Sequence, residues 1–431
     1  MSTSREMFSS PLAAILTMSG AAIGLGNIWR FPYMMGSYGG SAFFFVYLMF
    51  VLFFAIPALA GEWAFGRHAG GGTISAFVKS FGSRWGRVFG YLLTLSMLVS
   101  ASYYLIVIGN VAYMTWFSIV HGFSEQNNPI FLQNLANGPW QYGVSLLVLL
   151  GILLVAHKGL NKGIELVSKL FVPFFFVVIF YLIYVTFRLE GAAEQMAIFL
   201  QPDFSMLSMQ SIFAALGQAA FSVGLGGTIM VIYGSYLGPQ HSLIQGAAFT
   251  ALADTSAALL AALFIFPTIL VFGISPEAGP TLLFETLPVL FMQMEGGRAI
   301  GSFFLLALLL VAFLSGLAVM EVVIGSLSDD REFNGLNRNR TIFIFGGVEA
   351  TIMLLPAMVP DAIATMDLIF GSGMLAFGSA LALIGLTWGL KKAIFVAQLG
   401  DSKVANYLYP WLRWIVPSIF LSIIALSIFS A

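Results

Sequence analysis

The residues best placed to do chemistry are two glycine-interrupted runs and a few charged side chains set in otherwise apolar sequence. The first run is Gly20-Ala-Ala-Ile-Gly-Leu-Gly-Asn27 and the second is Phe221-Ser-Val-Gly-Leu-Gly-Gly-Thr228. Each places a Gly-Leu-Gly step inside a hydrophobic stretch, with polar Asn27 or Ser222 alongside. Glycine reaches dihedrals that a Cβ penalises, so both steps are expected to unwind. Unwinding frees backbone carbonyls, hard oxygen ligands for a small cation, while half-helix N-termini suit a carboxylate. One such step is more simply a close-packing motif between helices. Two at matched places, beside polar residues, favour a pair of binding segments, because irregular backbone in hydrocarbon is tolerated only where it lines a cavity or is buried in protein.

Charged residues inside apolar stretches form the second group of candidates. Asp254, Glu62 and Glu321 each interrupt one, and an acid within a membrane is costly enough to be a functional candidate by default. The plainer alternatives stay open: Asp254 as a solvated acid near the end of its span, and Glu321 as protonated, paired or coupled to protons. A buried Arg30 needs a partner on the same physical ground.

The elements that must position these residues are membrane spans. Of 431 residues, 59% are hydrophobic and 9% charged, against about 25% charged in a soluble domain. Apolar windows repeatedly reach the roughly 20 residues needed to cross a bilayer. Eleven spans are expected, near 11–36, 41–66, 87–119, 140–157, 163–187, 209–236, 242–273, 299–327, 341–357, 362–389 and 408–430. The fold class is therefore all-α and polytopic, with residues 1–431 as a single transmembrane domain. The two Gly-Leu-Gly steps fall in the first and sixth spans, so residues 11–187 and 209–389 read as two five-span repeats of opposite topology. Residues 408–430 form an extra helix.

Basic residues set the orientation. With the N-terminus in the cytoplasm, inner loops receive Arg67, Lys79, Arg84, Arg87, Lys158, Lys162, Arg331, Arg338, Arg340, Lys391, Lys392 and Lys403. Outer loops keep Arg188 and Arg298, together with acids such as Glu125, Glu190, Glu194, Asp203, Glu277, Glu285, Glu295 and Asp361. Eleven spans place the C-terminus outside. The N-terminus, Met1 to Ser10, is short and polar, and the apolar stretch after it has no small-residue cleavage pattern, which points to a retained helix and not a signal peptide.

Several function classes lose support. The net charge of −1 and the absence of a basic tract offer nothing to nucleic acid. Without cysteine there is no disulfide or thiolate chemistry. His68, His121, His157 and His241 lack metal-ligand spacing, and no nucleophile–base motif is visible, which argues against an enzyme.

The run Gly24-Leu-Gly-Asn-Ile-Trp-Arg-Phe-Pro-Tyr33 closely resembles the first-helix signature of neurotransmitter:sodium symporters. Gly39-Gly40, Glu62-Trp-Ala-Phe-Gly-Arg67, Tyr103-Tyr104, residues 218–236 and Met366-Asp367 extend the likeness over nearly the whole chain. Eleven spans resemble the bacterial branch, and the implied fold is that of the bacterial leucine transporter. The implied activity is sodium-coupled import of an amino acid or a related small zwitterion across the plasma membrane, the bacterial inner membrane. A non-transporting sodium and amino-acid receptor on the same fold is the alternative.

The resemblance also assigns residues. A first sodium site falls on Ala22, Asn27, Ser222 and Asp254. Asp254 stands where several relatives have a neutral Asn, and its charge would replace the anion that chloride-dependent members bind. Ala258 offers chloride no hydroxyl, although Tyr47, Gln218 and Ser222 remain, so no chloride requirement is expected. A second sodium site falls on the carbonyls of Gly20, Ile23 and Val311 and on Ser315. It lacks one hydroxyl, because Leu314 stands at the usual Thr; one or two sodium ions are thus implied. The substrate pocket collects Ala21, Ala22, Gly26, Tyr104, Phe221, Ser222, Gly224, Gly227, Ser315 and Val319. Gly24 replaces the acid of monoamine carriers, which favours a substrate that brings its own carboxylate. Gly224 and Gly227 would leave room for a larger side chain. Arg30 is expected to meet Asp367 in an outer gate with Gln218, and Arg5 to meet Asp329 in an inner gate near Ser235 and Tyr236. Glu62 is expected to accept hydrogen bonds from the unwound backbone of the sixth span.

Overall fold

The computed structural model describes residues 5–273, 282–329, 336–400 and 402–429. Glu277 and Arg331, counted above with the outer and inner loops, lie outside the described residues. Among those described, the secondary structure is helical throughout. The principal helices are α1 (Pro11–Ala22), α2 (Gly26–Ser37), α3 (Ser41–Ala69), α4 (Thr73–Val120), α5 (Gly138–His157) and α6 (Leu160–Phe187). They continue as α7 (Met209–Ser222) and α8 (Ile229–Gly234). Then follow α9 (Leu243–Val271), α10 (Gly297–Ser328), α11 (Arg338–Met358), α12 (Ala362–Gly389) and α13 (Lys403–Ala425).

Among the described residues, nine helices are long and apolar enough to cross a membrane, and the bent pair α1 and α2 makes a tenth candidate. The expected sixth span, 209–236, is two shorter helices on either side of residues 223–228. Its interruption is longer than that of the first span, so neither piece reaches crossing length. The expected third span is the later part of α4, which turns at Gly82 (φ 76°, ψ 175°). That positive φ separates a short leading helix from the crossing segment, and only glycine adopts it without strain.

The two breaks have local causes. α1 starts at Ser10, whose side chain accepts from the Ala13 N–H, with Pro11 in the first turn. It stops at Ile23, which is extended (φ −68°, ψ 116°), and α2 departs at 61° to it. Between α7 and α8, Gly224 (φ 73°) and Gly226 (φ 91°) occupy the left-handed half of dihedral space. Thr228 is the only non-glycine residue with positive φ among those described (φ 56°). A threonine there is strained, and such strain persists only where surrounding packing holds it.

Helices α3, α8 and α12 supply that packing. A Cβ at Gly66 would fall 1.8 Å from the Val231 carbonyl oxygen, so α3 and α8 meet backbone to backbone. A Cβ at Gly226 would fall 1.6 Å from the Leu375 carbonyl oxygen of α12. The broken sixth span is therefore clamped between two intact helices, and the clamp faces the centre of the bundle. Lipid-sized apolar side chains such as Leu147, Leu170 and Val177 remain exposed on the perimeter, as a bilayer solvent requires.

A contrast between two glycines tests this account. Gly66→Ala must push apart two backbones, an overpacking cost of at least about 1–3 kcal/mol. Gly217 lies within α7 with nothing within 4 Å of its Cβ position, so Gly217→Ala gains up to about 1 kcal/mol from helix propensity. Thermal unfolding of the detergent-solubilised protein should fall for the first and hold or rise for the second. Equal midpoints for the two variants would refute the clamp.

Candidate functional site

The two breaks meet at a buried polar knot. Asn27 Nδ2 donates to Asp254 Oδ1 at 2.7 Å and to the Asp254 carbonyl at 3.1 Å. It also reaches Ser222 Oγ at 3.1 Å, and Ser222 Oγ donates to Asp254 Oδ2 at 2.6 Å. Asn27 Oδ1 turns back to accept the Gly24 N–H at 2.9 Å, which satisfies backbone that the break of the first span releases. Asp254 is wholly buried in α9, so it is not a solvated acid at a span end. No lysine, arginine or histidine pairs with it within salt-bridge distance among the described residues. Tyr47 lies close to Asp254, Ser222 and Thr255, and the buried Gln218 amide has no hydrogen-bond partner among the described residues.

Glu62 does hold the unwound sixth span. Its Oε1 accepts the Gly226 N–H at 3.0 Å from a position of no exposure in α3. The buried Ser379 hydroxyl lies beside the same carboxyl.

The residues expected to line a pocket come together around the first break. A Cβ at Gly24 would meet Ser315 Oγ at 2.8 Å and Tyr104 Oη at 3.1 Å, so both hydroxyls crowd the bare backbone there. An acidic side chain at that position has no space. A Cβ at Gly26 would meet the Phe221 ring at 2.7 Å. The Arg30 guanidinium lies over that same ring, 4.9 Å from its centroid. Ala21, Ala22, Ser315 and Val319 keep 6–8% of their surface accessible, although they sit in the middle of the bundle.

One expectation needs correction. The room foreseen at Gly224 and Gly227 is occupied: a Cβ at Gly227 would strike Leu375 and Met97, and one at Gly224 would meet Met230 at 3.1 Å. Gly224 is needed for its positive φ, not for the volume it leaves. Arg30 and Asp367, expected to meet in the outer gate, are apart in this structure. No carboxylate among the described residues lies within ion-pair distance of Arg30, and Asp367 instead accepts from Tyr103 Oη at 3.0 Å. Gln218 assists neither residue. Leu314, at the position where the resemblance has Thr, packs its side chain beside Gly20. Its Cδ1 lies 2.7 Å from the Cβ position of Gly20, with Val172 on the other side. Ser315 Oγ bonds the carbonyls of Ile23 at 3.2 Å and Val311 at 3.4 Å.

At the opposite end of the bundle the chain is fastened. Arg5 pairs with Asp329, donates to Ser235 Oγ at 2.6 Å, and stacks on Tyr236 at 4.5 Å. Tyr236 Oη donates to Glu321 Oε1 at 2.6 Å, and Arg338 closes a two-pronged pair with Glu321 at 2.6 and 2.9 Å. The open question about Glu321 is thus resolved as pairing. Arg338 is a residue that sequence reasoning did not connect to Glu321. The signal was only that a buried acid requires a cation, with nothing to choose among the neighbouring arginines. Glu6 and Ser9 fasten the same segment to α6, accepting the Leu160 N–H at 2.6 Å and donating to Glu165 at 2.6 and 2.7 Å.

Broken helices around a buried polar centre, within a bundle of membrane-length helices, define a polytopic membrane transport protein. The family model described as "Sodium:neurotransmitter symporter family" matches residues 5–130 and 129–431. The chain is 30% identical over 430 residues to an uncharacterized sodium-dependent transporter, YhdH, of Bacillus subtilis, covering 95% of each chain. It is 29% identical to an uncharacterized sodium-dependent transporter of Haemophilus influenzae, covering 99% of this chain and 98% of that one. The crystal structure of MhsT in complex with L-phenylalanine matches with a TM-score of 0.87 at 28% identity, over 98% of this chain and 99% of that one. The chain belongs to the sodium:neurotransmitter symporter family.

The Glu321–Arg338 pair carries its own prediction. Arg338→Met leaves a buried carboxylate without its cation, which costs about 3–5 kcal/mol. The double variant Glu321→Met/Arg338→Met removes both charges and should recover most of that stability. Thermal unfolding of the three proteins checks this, and a double variant no better than the single one contradicts it.

Proposed function

We propose that the chain is an importer of an amino acid or a closely related small zwitterion, driven by sodium and working by alternating access between two inverted repeats. The observation that carries the reading is the knot of Asn27, Ser222 and Asp254, which joins both broken spans through one buried, uncompensated carboxylate. A buried charge without a counterion is strongly unfavourable, and a sodium ion supplies the missing charge. Asp254 and Ser222 offer side-chain oxygens, and a half-turn of the Asn27 amide, which gives up its bond from the Gly24 N–H, presents its oxygen in place of nitrogen. The Ala22 carbonyl, at the end of α1, completes the set.

The carboxylate of the substrate finds the freed N–H groups of the first break and the Tyr104 hydroxyl. Its side chain faces Phe221, Val319 and Ser315. The match with a neighbour solved with L-phenylalanine, and the crowding of Gly24 by Tyr104 and Ser315, both favour an amino acid over a lone amine. The Arg5–Asp329 fastening closes the cytoplasmic side, with Arg30 and Asp367 apart on the other; this combination suits a state open to the outside. Transport then requires the first to break and the second to form. Basic residues assign the N-terminus to the cytoplasm, and the membrane is the bacterial inner membrane.

Asp254 makes a bound anion unnecessary. Uptake in proteoliposomes should persist when chloride is replaced by gluconate. Asp254→Asn should raise the sodium concentration for half-maximal uptake about tenfold or more, the equivalent of about 1.4 kcal/mol. Uptake that collapses without chloride in the unaltered protein refutes this role.

Leu314 leaves a single sodium site. Reversal potentials measured in proteoliposomes should give one sodium ion per zwitterionic substrate, and Leu314→Thr should leave that ratio at one or raise it. A ratio of two in the unaltered protein contradicts this reading.

A further inference from the structure

Glu349 is a buried acid with no part in the centre formed by Asn27, Ser222 and Asp254. It lies near the middle of α11, a helix long and apolar enough to cross a membrane, and it has no exposure. Thr341, Ile342, Gly346 and Glu349 are the buried residues of this stretch, which packs on α4, α5 and α10. Neither carboxyl oxygen of Glu349 has a hydrogen-bond partner among the described residues. An ionisable side chain at such a depth is expensive and marks a functional place by default.

The ionisable groups on the surrounding helices are committed elsewhere. Tyr113 on α4 accepts from Asn134, and Tyr142 on α5 donates to the Ala350 carbonyl at 2.8 Å. On α10, Arg298 donates to the carbonyls of Ile119 and Val120, and Glu321 takes Arg338 of α11. Burial is the influence that acts on Glu349, and no described charge does. The contrast with Asp254 is chemical. Asp254 accepts from Asn27 and Ser222, donors that can sustain a carboxylate, whereas Glu349 has none. A carboxylate in hydrocarbon without donor or cation is far less favourable than the neutral acid. In this packing Glu349 therefore carries its proton.

A cleft approaches the acid from the end of α11 that holds Arg338. It measures about 690 Å³ between α5 and α11, with His157 and Asn339 as its polar residues and Gly346 and Gly347 further along α11. Leu153 lines this cleft and packs on Gly346, where a Cβ would meet its Cδ1 at 2.5 Å. Gly346 and Glu349 are neighbours on one helix face, three residues apart in sequence. Leu153 thus stands between the cleft and the level of the carboxyl. A molecule the size of a solute or headgroup cannot touch the enclosed oxygens. A proton can, on water admitted when Leu153 turns aside.

We propose that Glu349 is a proton-binding site within the membrane, separate from the Asn27–Asp254 centre and loaded through the cleft between α5 and α11. Release breaks the O–H bond of the carboxyl, passes the proton to water and leaves a carboxylate. The bundle offers that carboxylate neither donor nor cation, so release requires α11 to shift against its neighbours or to admit water. Proton occupancy is in this way linked to the packing of α11, whose first turn Arg338 ties to Glu321.

The test is infrared difference spectroscopy of the full chain in detergent, in saturating sodium and at neutral pH, where an exposed glutamate is ionised. The unaltered protein should show the C=O absorption of a protonated carboxyl that Glu349→Gln loses. Glu349→Leu should lose the same band, and it serves if the glutamine variant does not fold. Asp254→Asn should keep it. On transfer to heavy water the band should move, and Leu153→Ala should speed that exchange about tenfold or more by making local opening easier. A carboxyl band unchanged in the Glu349 variants overturns the proposal. So does a band that does not move in heavy water, or one that moves equally fast in Leu153→Ala. The readout does not involve transport, so it stands or falls apart from the importer reading.

Discussion

Backbone that cannot be solvated governs this structure. A helix interrupted inside a bilayer releases N–H and C=O groups that hydrocarbon cannot satisfy, and two spans are interrupted here. The protein meets the demand with side chains from neighbouring helices. Asn27 Oδ1 takes the Gly24 N–H, and Glu62 takes the Gly226 N–H. Each acceptor is itself buried, so each depends on the surrounding helices for its position. Asn27 and Asp254 then bind to one another through hydrogen bonds, which ties the first break to α9, and Ser222 ties the sixth to the same acid.

From that constraint follows the division of the molecule into rigid and adjustable parts. α3 and α12 close on the sixth span at backbone distance, through Gly66 and Gly226. Such contacts lack slack. The end near Arg5 is held differently, by ion pairs and hydrogen bonds around Tyr236, Glu321 and Asp329. Polar contacts with partial access to water can be exchanged for solvent, whereas interlocked backbones cannot. Asp329 is one-third exposed on its side chain, and Glu321 is 1% exposed. Arg5–Asp329 is accordingly the weaker member of the chain of contacts, and the Glu321–Arg338 pair its fixed anchor.

The same reasoning explains Leu314. Its branched side chain presses against Gly20 and offers no oxygen there. The chain keeps α1, α6 and α10 together at this place by packing. The Asn27–Asp254 centre instead keeps its helices together by buried hydrogen bonds. Two neighbouring positions on one broken helix thus serve opposite physical ends.

The sequence by itself determined the membrane class, the places of both breaks, and Asp254 and Glu62 as acids set in apolar spans, while the grouping of Asn27, Ser222 and Asp254 came from the family resemblance. It could do so because these signals are local: apolar length, the dihedral freedom of glycine, and the cost of an acid in hydrocarbon all attach to a residue type and its immediate neighbours. Only the tertiary structure decided that Glu321 takes Arg338, that Asp367 takes Tyr103 while Arg30 lies on Phe221, and that Met97 and Leu375 fill the space beside Gly227. Those outcomes depend on which side chains residues far apart in the chain bring to one point. A missing Cβ indicates where another atom can come close, and the packed bundle decides which atom it is.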